Sequence, residues 1–222
     1  MSAAGHERAR LRLPGVRPPR PLLAPEAERR LTGRQRELLD ALEKLVVGSG
    51  LADLTMAEIA AGVNCSLRTL YGISPSKDEL VLAVVDRRLH RIGRAAIEAL
   101  DLSGSPLDAL RLYLGSVNEA VRPSTAVFIR DFAGVPGARR LFDAHEGYVI
   151  AVARSLLDRA VSERQIAPID TGAVAHVLGG LGREFSRPEV MTMIADSPKE
   201  TADALAEIIL RGLEASATGR KS

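Results

Sequence analysis

The sequence contains little of what several kinds of protein require. It has one cysteine, Cys65, so no disulfide can form within the chain, which fits a reducing compartment. No run approaches the ~18 consecutive apolar residues of a transmembrane helix. The N-terminus has arginines but no apolar segment followed by a cleavage site, so we expect no secretion signal. These absences predict a cytoplasmic protein of bacterial type.

Motifs of common catalytic and metal sites are also missing. There is no glycine-rich phosphate loop, no Gly-x-Ser-x-Gly segment, and no His-x-x-x-His or Cys-x-x-Cys spacing. Asp131 and His145 are conceivable as a dyad, but polar residues on amphipathic helices are commonly structural. His145 and Glu146 are adjacent, so they lie on diverging faces of a helix. We therefore predict that the protein is not an enzyme and that it has no resident metal or cofactor.

What the sequence does contain is helical periodicity. Apolar residues recur at helical spacing along most of the chain, and strand-like alternation is missing, so we predict an all-α protein. The predicted long helices are 32–48, 77–100, 106–121, 137–164, 170–187 and 198–215, with shorter helical segments around 123–134 and 190–194.

The first part of the chain is basic and rich in proline. Residues 1–30 hold five of the twelve prolines and seven arginines, and we predict that they are disordered. Such an arm either reaches into a DNA minor groove or remains a solvated tail. Residues 1–95 carry 16 basic and 11 acidic residues, a net charge of +5, whereas residues 96–222 carry 14 and 17, a net charge of −3. A basic front favours contact with phosphate at that end.

Residues 55–80 carry the densest local signals. The predicted helix starts there are Thr55 with Glu58, Ser66, and Ser76 with Glu79. Gly62 ends the first short helix, and Asn64 tolerates the left-handed backbone of a tight turn. A short helix, a turn and a second short helix form the geometry that places a helix in the DNA major groove.

The segment IA..V.CS.RTLYGISPSKDEL, which begins at Ile59, resembles the DNA-binding signature of TetR-family transcriptional regulators. The positions in register with that signature are Thr69, Leu70, Tyr71, Pro75, Ser76 and Lys77. Asn64 and Cys65 depart from it, since Gly and Val are usual there, and Ser74 replaces an aromatic residue. The resemblance implies a three-helix helix-turn-helix module over residues 31–80. It also implies a helical ligand-binding and dimerisation domain over residues 81–217.

The resemblance further implies that the module binds double-stranded DNA. The residues expected to contact DNA are Thr55, Ser66, Leu67, Arg68, Thr69, Tyr71 and Lys77. Residues early in the second short helix face base edges, where Arg68 can bind a guanine through two hydrogen bonds. Tyr71 and Lys77 would contact phosphates, and Thr55 would offer its hydroxyl and free N–H groups at a helix N-terminus to a phosphate.

Aromatic residues are concentrated in the second part of the chain, with polar residues between them. The candidate ligand-binding residues are Tyr113, Asn118, Phe128, Asp131, Phe132, His145, Tyr148 and His176. Aromatic residues at helical spacing are either ordinary core or, taken with these polar groups, the lining of an apolar pocket. The resemblance favours the pocket, because TetR-family regulators bind inducers in this part of the chain. We therefore predict an apolar small-molecule effector.

Two apolar stripes mark the last two long helices. The candidate dimerisation residues are Val174, Val177, Leu178, Leu181, Phe185, Leu205 and Ile209. Glycines at positions 172, 179, 180 and 182 would let a second helix approach closely, although each costs about 1 kcal/mol of helix stability relative to alanine. Burial within one chain would account for one face only. Proteins that resemble TetR dimerise through a four-helix bundle of their last helices, which implies a homodimer here.

Together these features predict a sequence-specific transcriptional regulator that binds DNA as a homodimer. We expect a ligand-responsive repressor that binds a palindromic operator and is nucleoid-associated when bound to DNA. The alternative is a helical interaction or ligand-sensing protein whose DNA-binding module has degenerated. The unusual residues Asn64, Cys65 and Ser74 would fit that alternative.

Overall fold

The computed structural model describes residues 13, 15–23, 25–49, 53–120 and 126–218, and within them every regular element is helical. The prediction of an all-α fold is confirmed. The α-helices are α1 (Pro25–Arg30), α2 (Gly33–Ser49), α3 (Met56–Gly62), α4 (Leu67–Ile73), α5 (Lys77–Glu98), α6 (Pro106–Val117), α7 (Ala126–Ala133), α8 (Ala138–Ser162), α9 (Thr171–Phe185), α10 (Pro188–Met191) and α11 (Pro198–Thr218). A 3-10 turn, Asn118–Ala120, follows α6.

Short-range polar contacts set the starts of α2 to α5. Thr32 and Gln35 exchange backbone N–H bonds ahead of α2, and Thr55 and Glu58 form a complete capping box ahead of α3. The Ser66 hydroxyl accepts a bond from the N–H of Thr69, and Ser76 caps α5 in the same way. These contacts were predicted from the sequence, and they fix the chain direction at each turn.

The turn between α3 and α4 has the predicted backbone. Asn64 has φ 52°, in the left-handed region that asparagine tolerates better than most residues. Ser74 is buried, and its hydroxyl donates to the carbonyl of Ser76 at 3.3 Å. Two of the three departures from the family signature are therefore accommodated by local bonding or backbone geometry.

A first apolar cluster unites α2 to α5 with α7 and the start of α8. Its buried members are Leu38, Leu39, Leu42, Val46, Ile59, Ala60, Val63, Leu70, Leu80, Val81, Val84, Val85, Phe128, Phe132, Ala138 and Leu141. Ile59, Leu70 and Leu80 pack in this cluster with apolar residues of α2, which gives the module its three-helix core. The cluster continues past the proposed boundary at residue 80, because α7 and α8 cover it from the other side.

A second apolar cluster fills the space between the end of α5 and helices α6, α8, α9 and α11. Helices α8 and α9 approach each other closely at Gly179. A Cβ built there would lie 2.6 Å from Cγ1 of Ile150 and 3.3 Å from its backbone. Gly179 therefore serves packing between two helices of the same chain.

The N-terminal segment differs from the prediction of disorder over residues 1–30. Residues 1–12, 14 and 24 lie outside the described residues. Leu13 is buried in the second cluster, the N–H of Leu22 donates to Asp86 at 2.8 Å, and α1 is helical. Glu28 of α1 also pairs with Arg87 of α5 at 3.1 Å. A proline-rich segment without periodicity can pack in extended form when its few apolar side chains find an existing core.

Among the helices of the described residues, none combines the length and the apolarity needed to cross a membrane.

Candidate nucleic-acid interface and effector cavity

Helix α4 presents an exposed face opposite its buried residue Leu70. Leu67, Arg68, Thr69 and Tyr71 are all exposed. Arg68 makes no hydrogen bond or ion pair with any residue that the structure describes, so its guanidinium is available to a ligand. The hydroxyl groups of Ser66 and Thr69 lie 2.7 Å apart and pair with each other. The sequence-predicted residues of this helix thus share one face.

Thr55 differs from the prediction that it offers free N–H and hydroxyl groups to a phosphate. Its N–H donates to Oε2 of Glu58 at 2.7 Å, and its hydroxyl lies 2.7 Å from the same oxygen. These bonds lower the pKa of Glu58, the backbone bond contributing most. A phosphate at Thr55 would have to displace a carboxylate, because both groups are already used in the capping box.

Lys77 lies at the start of α5, where its Nζ donates to the carbonyl of Leu54 at 3.1 Å. This bond ties α5 to the segment that precedes α3. Arg34 of α2 is exposed on the same module and lies within 3.4 Å of the Asn64 carbonyl. DNA contact by Lys77 and by the exposed residues of α4 remains a prediction, supported by their common location on the helix-turn-helix.

A large cavity of about 1640 Å³ lies among α5, α6, α7, α8 and α9, and most of its lining side chains are apolar. The predicted ligand residues that line it are Tyr113, Asn118, Phe128, His145 and Tyr148. The structure brings these five together from four helical segments. Such a space is larger than most small-molecule pockets, which enclose roughly 300–1,000 Å³.

Three predicted ligand residues do not line this cavity. Phe132 is packed in the first apolar cluster between Phe128 and Phe142, with ring centroids 5.5 and 5.0 Å away. Asp131 lies next to the guanidinium of Arg130, at 3.4 Å. His176 is exposed on α9 and lines a separate, smaller cavity of about 490 Å³. Helical periodicity could not separate these residues from the lining ones, because it does not show which helices pack together.

Two polar groups of the cavity wall differ in how they are bonded. The hydroxyl of Tyr113 is buried and has no hydrogen-bond partner among the described residues. Burial, and to a smaller extent Tyr148, raises the pKa of Tyr113 well above its usual value. The side-chain amide of Asn118 instead donates to Asp203 of α11 at 2.7 Å. Tyr113 is therefore the more available of the two for a bound molecule.

His145 pairs with Asp86, and not with Asp131 as the considered dyad would require. Its Nε2 lies 2.9 Å from Oδ1 of Asp86, a buried carboxylate on α5. His90, one turn further along α5, has its Nε2 3.4 Å from the same oxygen. Burial lowers the pKa of His90, while Asp86 opposes that shift. Sequence reasoning missed Asp86 and His90, although their spacing of four residues places them on one helix face.

Helix α5 connects the cavity to the exposed face of α4. Leu80 and Val84 near its start belong to the first apolar cluster, whereas His90 and Ile92 line the cavity. Arg88 of the same helix pairs at 2.9 Å with Glu43, a buried carboxylate of α2. A displacement of α5 at the cavity would therefore be passed to α2 and to the core of the helix-turn-helix.

The predicted dimerisation residues fall into three groups by exposure. Leu178 and Leu181 are only 2% and 7% exposed, since they pack into the second apolar cluster of their own chain. For these two residues the structure favours a role in the core over the predicted interface. Val177 is 51% exposed. Val174, Phe185, Leu205 and Ile209 are partly buried against the same cluster.

The chain was compared with known proteins. No protein-family model matches it. It is 28% identical over 100 residues to the HTH-type transcriptional repressor KstR of Mycolicibacterium smegmatis, a match that covers 45% of this chain and 48% of that protein. A TetR transcription regulator from Haloarcula marismortui superposes with a TM-score of 0.68 at 20% identity, over 80% of this chain and 96% of the other. A TetR-like transcriptional regulator from Rhodococcus sp. RHA1 superposes with a TM-score of 0.58 at 25% identity, over 82% of this chain and all of the other. The fold is that of the TetR-family regulators.

The TetR-type fold confirms the resemblance that residues 59–80 carry. All three of these relatives are named as transcriptional regulators. The chain spans about half the length of the curated relatives it matches, KstR among them. Residue roles therefore rest on the geometry of this chain.

Proposed function

We propose that the protein is a transcriptional repressor that binds a palindromic DNA operator as a homodimer and releases it on binding an apolar small molecule. It would act in the bacterial cytosol and on the nucleoid. The observation that carries the proposal is the exposed face of α4, whose Arg68 has no partner among the described residues and projects from a helix that Ser66 caps. A helix presented in this way fits the major groove.

The exposed side chains of the helix-turn-helix fall into groups according to the part of DNA that each would contact. Leu67, Arg68 and Thr69 lie at the N-terminal end of α4, the part of a recognition helix that contacts base edges. Tyr71 and Lys77 would contact phosphates, which sets orientation without reading sequence. Thr55 and Ser66 would act first as helix caps, given the bonds that they make within the chain.

The effector would occupy the cavity beside α5. The apolar lining selects an apolar molecule, and the Tyr113 hydroxyl offers it one hydrogen bond. A molecule that favours one position of α5 over another would change the separation of the two recognition helices in a dimer. Release of the operator would follow because both half-sites must be contacted at once.

The homodimer would form through exposed faces of α9 and α11. Val177 on α9 and Ile208 on α11 are exposed apolar side chains, 51% and 66% accessible. The buried members of both helices already pack within the chain, so a partner would meet only these outer faces. A two-fold arrangement of two helices from each chain gives the predicted four-helix bundle.

An electrophoretic mobility shift experiment tests the proposal. DNA from upstream of the protein's own gene is compared with a scrambled duplex of equal length, in the absence and presence of apolar candidate ligands. We expect a shift of the upstream DNA only, which a binding ligand reverses. A shift of neither duplex, or an equal shift of both, would contradict sequence-specific binding.

The alternative of a degenerate DNA-binding module finds no support in local geometry. Asn64 adopts the backbone conformation that the turn requires, and the capping bonds at Thr55 and Ser66 are intact.

A further inference from the structure

Three potential metal ligands converge beside the cavity. Asp86 and His90 lie one turn apart on α5, and His145 lies on α8. One donor atom from each residue lies within 4.8 Å of the other two. Oδ1 of Asp86 is 2.9 Å from Nε2 of His145 and 3.4 Å from Nε2 of His90. The three donors thus form a triangle at the wall of the cavity.

Two edges of the triangle have the dimensions found in a coordination polyhedron, and the third is no longer than 4.8 Å. With bonds of about 2.0–2.1 Å, neighbouring donors lie about 2.9 Å apart in octahedral and about 3.4 Å apart in tetrahedral geometry. The two edges at Asp86 match these values. Small rotations of the imidazole rings would be enough to seat an ion.

The present bonding leaves this cluster incomplete. Nε2 of His90 is buried and has no hydrogen-bond partner among the residues that the structure describes. It lies close to a carboxylate but without the alignment of a hydrogen bond. A buried ring nitrogen of this kind costs free energy unless a ligand satisfies it.

We propose that Asp86, His90 and His145 bind a divalent transition-metal ion such as Zn²⁺. Two imidazoles and one carboxylate are a donor set that Zn²⁺ accepts, with remaining positions for water or a ligand. Oδ2 of Asp86 accepts the N–H of Leu22 at 2.8 Å, and this bond orients the carboxylate as outer-shell bonds do at metal sites. The ion replaces the proton that His145 and Asp86 share, so binding releases one proton from the pair or shifts it to Nδ1.

The neighbourhood contains charges of both signs. Glu28 favours a cation near His90, whereas Arg94 opposes it. Arg94 is exposed, so solvent screens its effect, while Asp86 is buried and in direct contact with the ion. Asp86 is therefore the charged group that acts most strongly on a bound cation.

The position of the site gives it a role in ligand recognition. His90 and His145 both line the large cavity, so the open coordination positions face the space that an effector would occupy. An effector with an oxygen, nitrogen or sulfur donor would bind the ion directly. This consequence extends the proposed effector response, but metal binding itself does not depend on DNA binding and is measured without DNA.

The test uses the full-length protein without an affinity tag, stripped of metal by a chelator and then dialysed. Calorimetric titration with Zn²⁺ should show one ion per chain. His90→Ala and His145→Ala should each weaken binding at least about tenfold, in line with the loss of a ligand. His176→Ala is the matched control, because it removes an exposed histidine outside the cluster, and it should bind as the unchanged protein does.

Two further measurements keep the result independent of folding. Co²⁺ in place of Zn²⁺ should give visible absorption bands with the unchanged protein and with His176→Ala, and not with His90→Ala. Zn²⁺ should raise the midpoint of thermal unfolding in the same two proteins only. His90 forms no hydrogen bond through Nε2, so its alanine variant should fold normally even where His145→Ala does not.

Several outcomes would overturn the proposal. These are the absence of stoichiometric binding, equal affinity in His90→Ala and the unchanged protein, or an equal loss in His176→Ala. In those cases Asp86 and His145 would form only a buried hydrogen-bonded pair. The regulatory function would be judged separately, by whether the metal-free protein binds the operator.

Discussion

At the scale of single residues, the Tyr113 hydroxyl determines how the cavity can recognise a molecule. The ring is fully buried, yet the hydroxyl has no partner among the described residues. A buried polar group without a partner costs about 1–3 kcal/mol, which a bound ligand with a matching group would recover. The hydroxyl thus favours the liganded state over the free one.

Tyr113→Phe should separate the effect of the hydroxyl on stability from its effect on ligand affinity. Without ligand, we expect the free energy of unfolding to stay constant or to rise by about 1 kcal/mol, since an unpaired buried group is removed. Affinity for a ligand that bonds the hydroxyl should fall. Urea unfolding and ligand titration measure the two quantities, with Tyr148→Phe as the comparison at a less buried ring of the same cavity. A loss of stability above about 1 kcal/mol in Tyr113→Phe would show that the hydroxyl already has a partner.

The sequence predicts contacts between neighbouring residues well and contacts between distant residues poorly. The capping bonds of Thr55 and Ser66 and the turn at Asn64 depend on residues within four positions, so the sequence is sufficient. The pairing of His145 with Asp86 joins residues 59 positions apart. It depends on how α5 packs against α8, which periodicity does not show.

At the scale of helices, the approach of α8 and α9 holds the second apolar cluster together. Gly179→Ala should destabilise the protein by about 1–3 kcal/mol, because the added methyl would lie 2.6 Å from Cγ1 of Ile150. Gly147→Ala is the matched control on α8, since open space surrounds that position. It should stabilise the protein by up to about 1 kcal/mol through helix propensity alone.

Thermal or urea unfolding of both glycine variants provides the measurement. Equal effects of Gly179→Ala and Gly147→Ala would show that α8 and α9 do not pack as closely as described. The sequence predicted close helix approach at Gly179. It could not assign the approach to the interior of one chain, because an apolar stripe looks the same whether it faces a neighbouring helix or a second subunit.

At the scale of the whole molecule, the exposure of apolar side chains on α9 and α11 indicates which residues can form a dimer interface. Val177→Glu with Ile208→Glu places four charges across a two-fold interface of α9 and α11, so we expect monomers by light scattering. Leu112→Glu is the control, because it changes an apolar side chain of α6 that is 47% exposed. A stable dimer of the Val177 and Ile208 double variant would place the interface elsewhere.

The helix order and the boundaries of most helices were predictable from the sequence. The two-part division at residue 80 remains a proposal, since Phe128 and Leu141 extend the first apolar cluster beyond it. Contacts between α7, α8 and α2 to α5 join residues far apart in sequence. The sequence does not show which of the two apolar clusters the apolar side chains of these helices join.

Substitutions on the DNA-binding face should have two kinds of effect, depending on whether they remove a phosphate contact or a base contact. Lys77→Ala should weaken binding to all duplexes alike and reduce the salt dependence by roughly one unit per site lost, because fewer counterions are released. Arg68→Ala should cost on the order of 1–3 kcal/mol on the operator and relax preference at one symmetric base pair. Arg154→Ala, which changes an exposed arginine of α8, should alter neither quantity.

Fluorescence anisotropy can show whether the protein binds an operator in a sequence-specific way. A palindromic operator with half-sites about 34–36 Å apart is compared with a scrambled duplex at two salt concentrations. We expect tight binding to the operator, with Arg68→Ala losing affinity there and not on the scrambled duplex. Equal affinity of the unchanged protein for both duplexes would contradict a sequence-specific regulator.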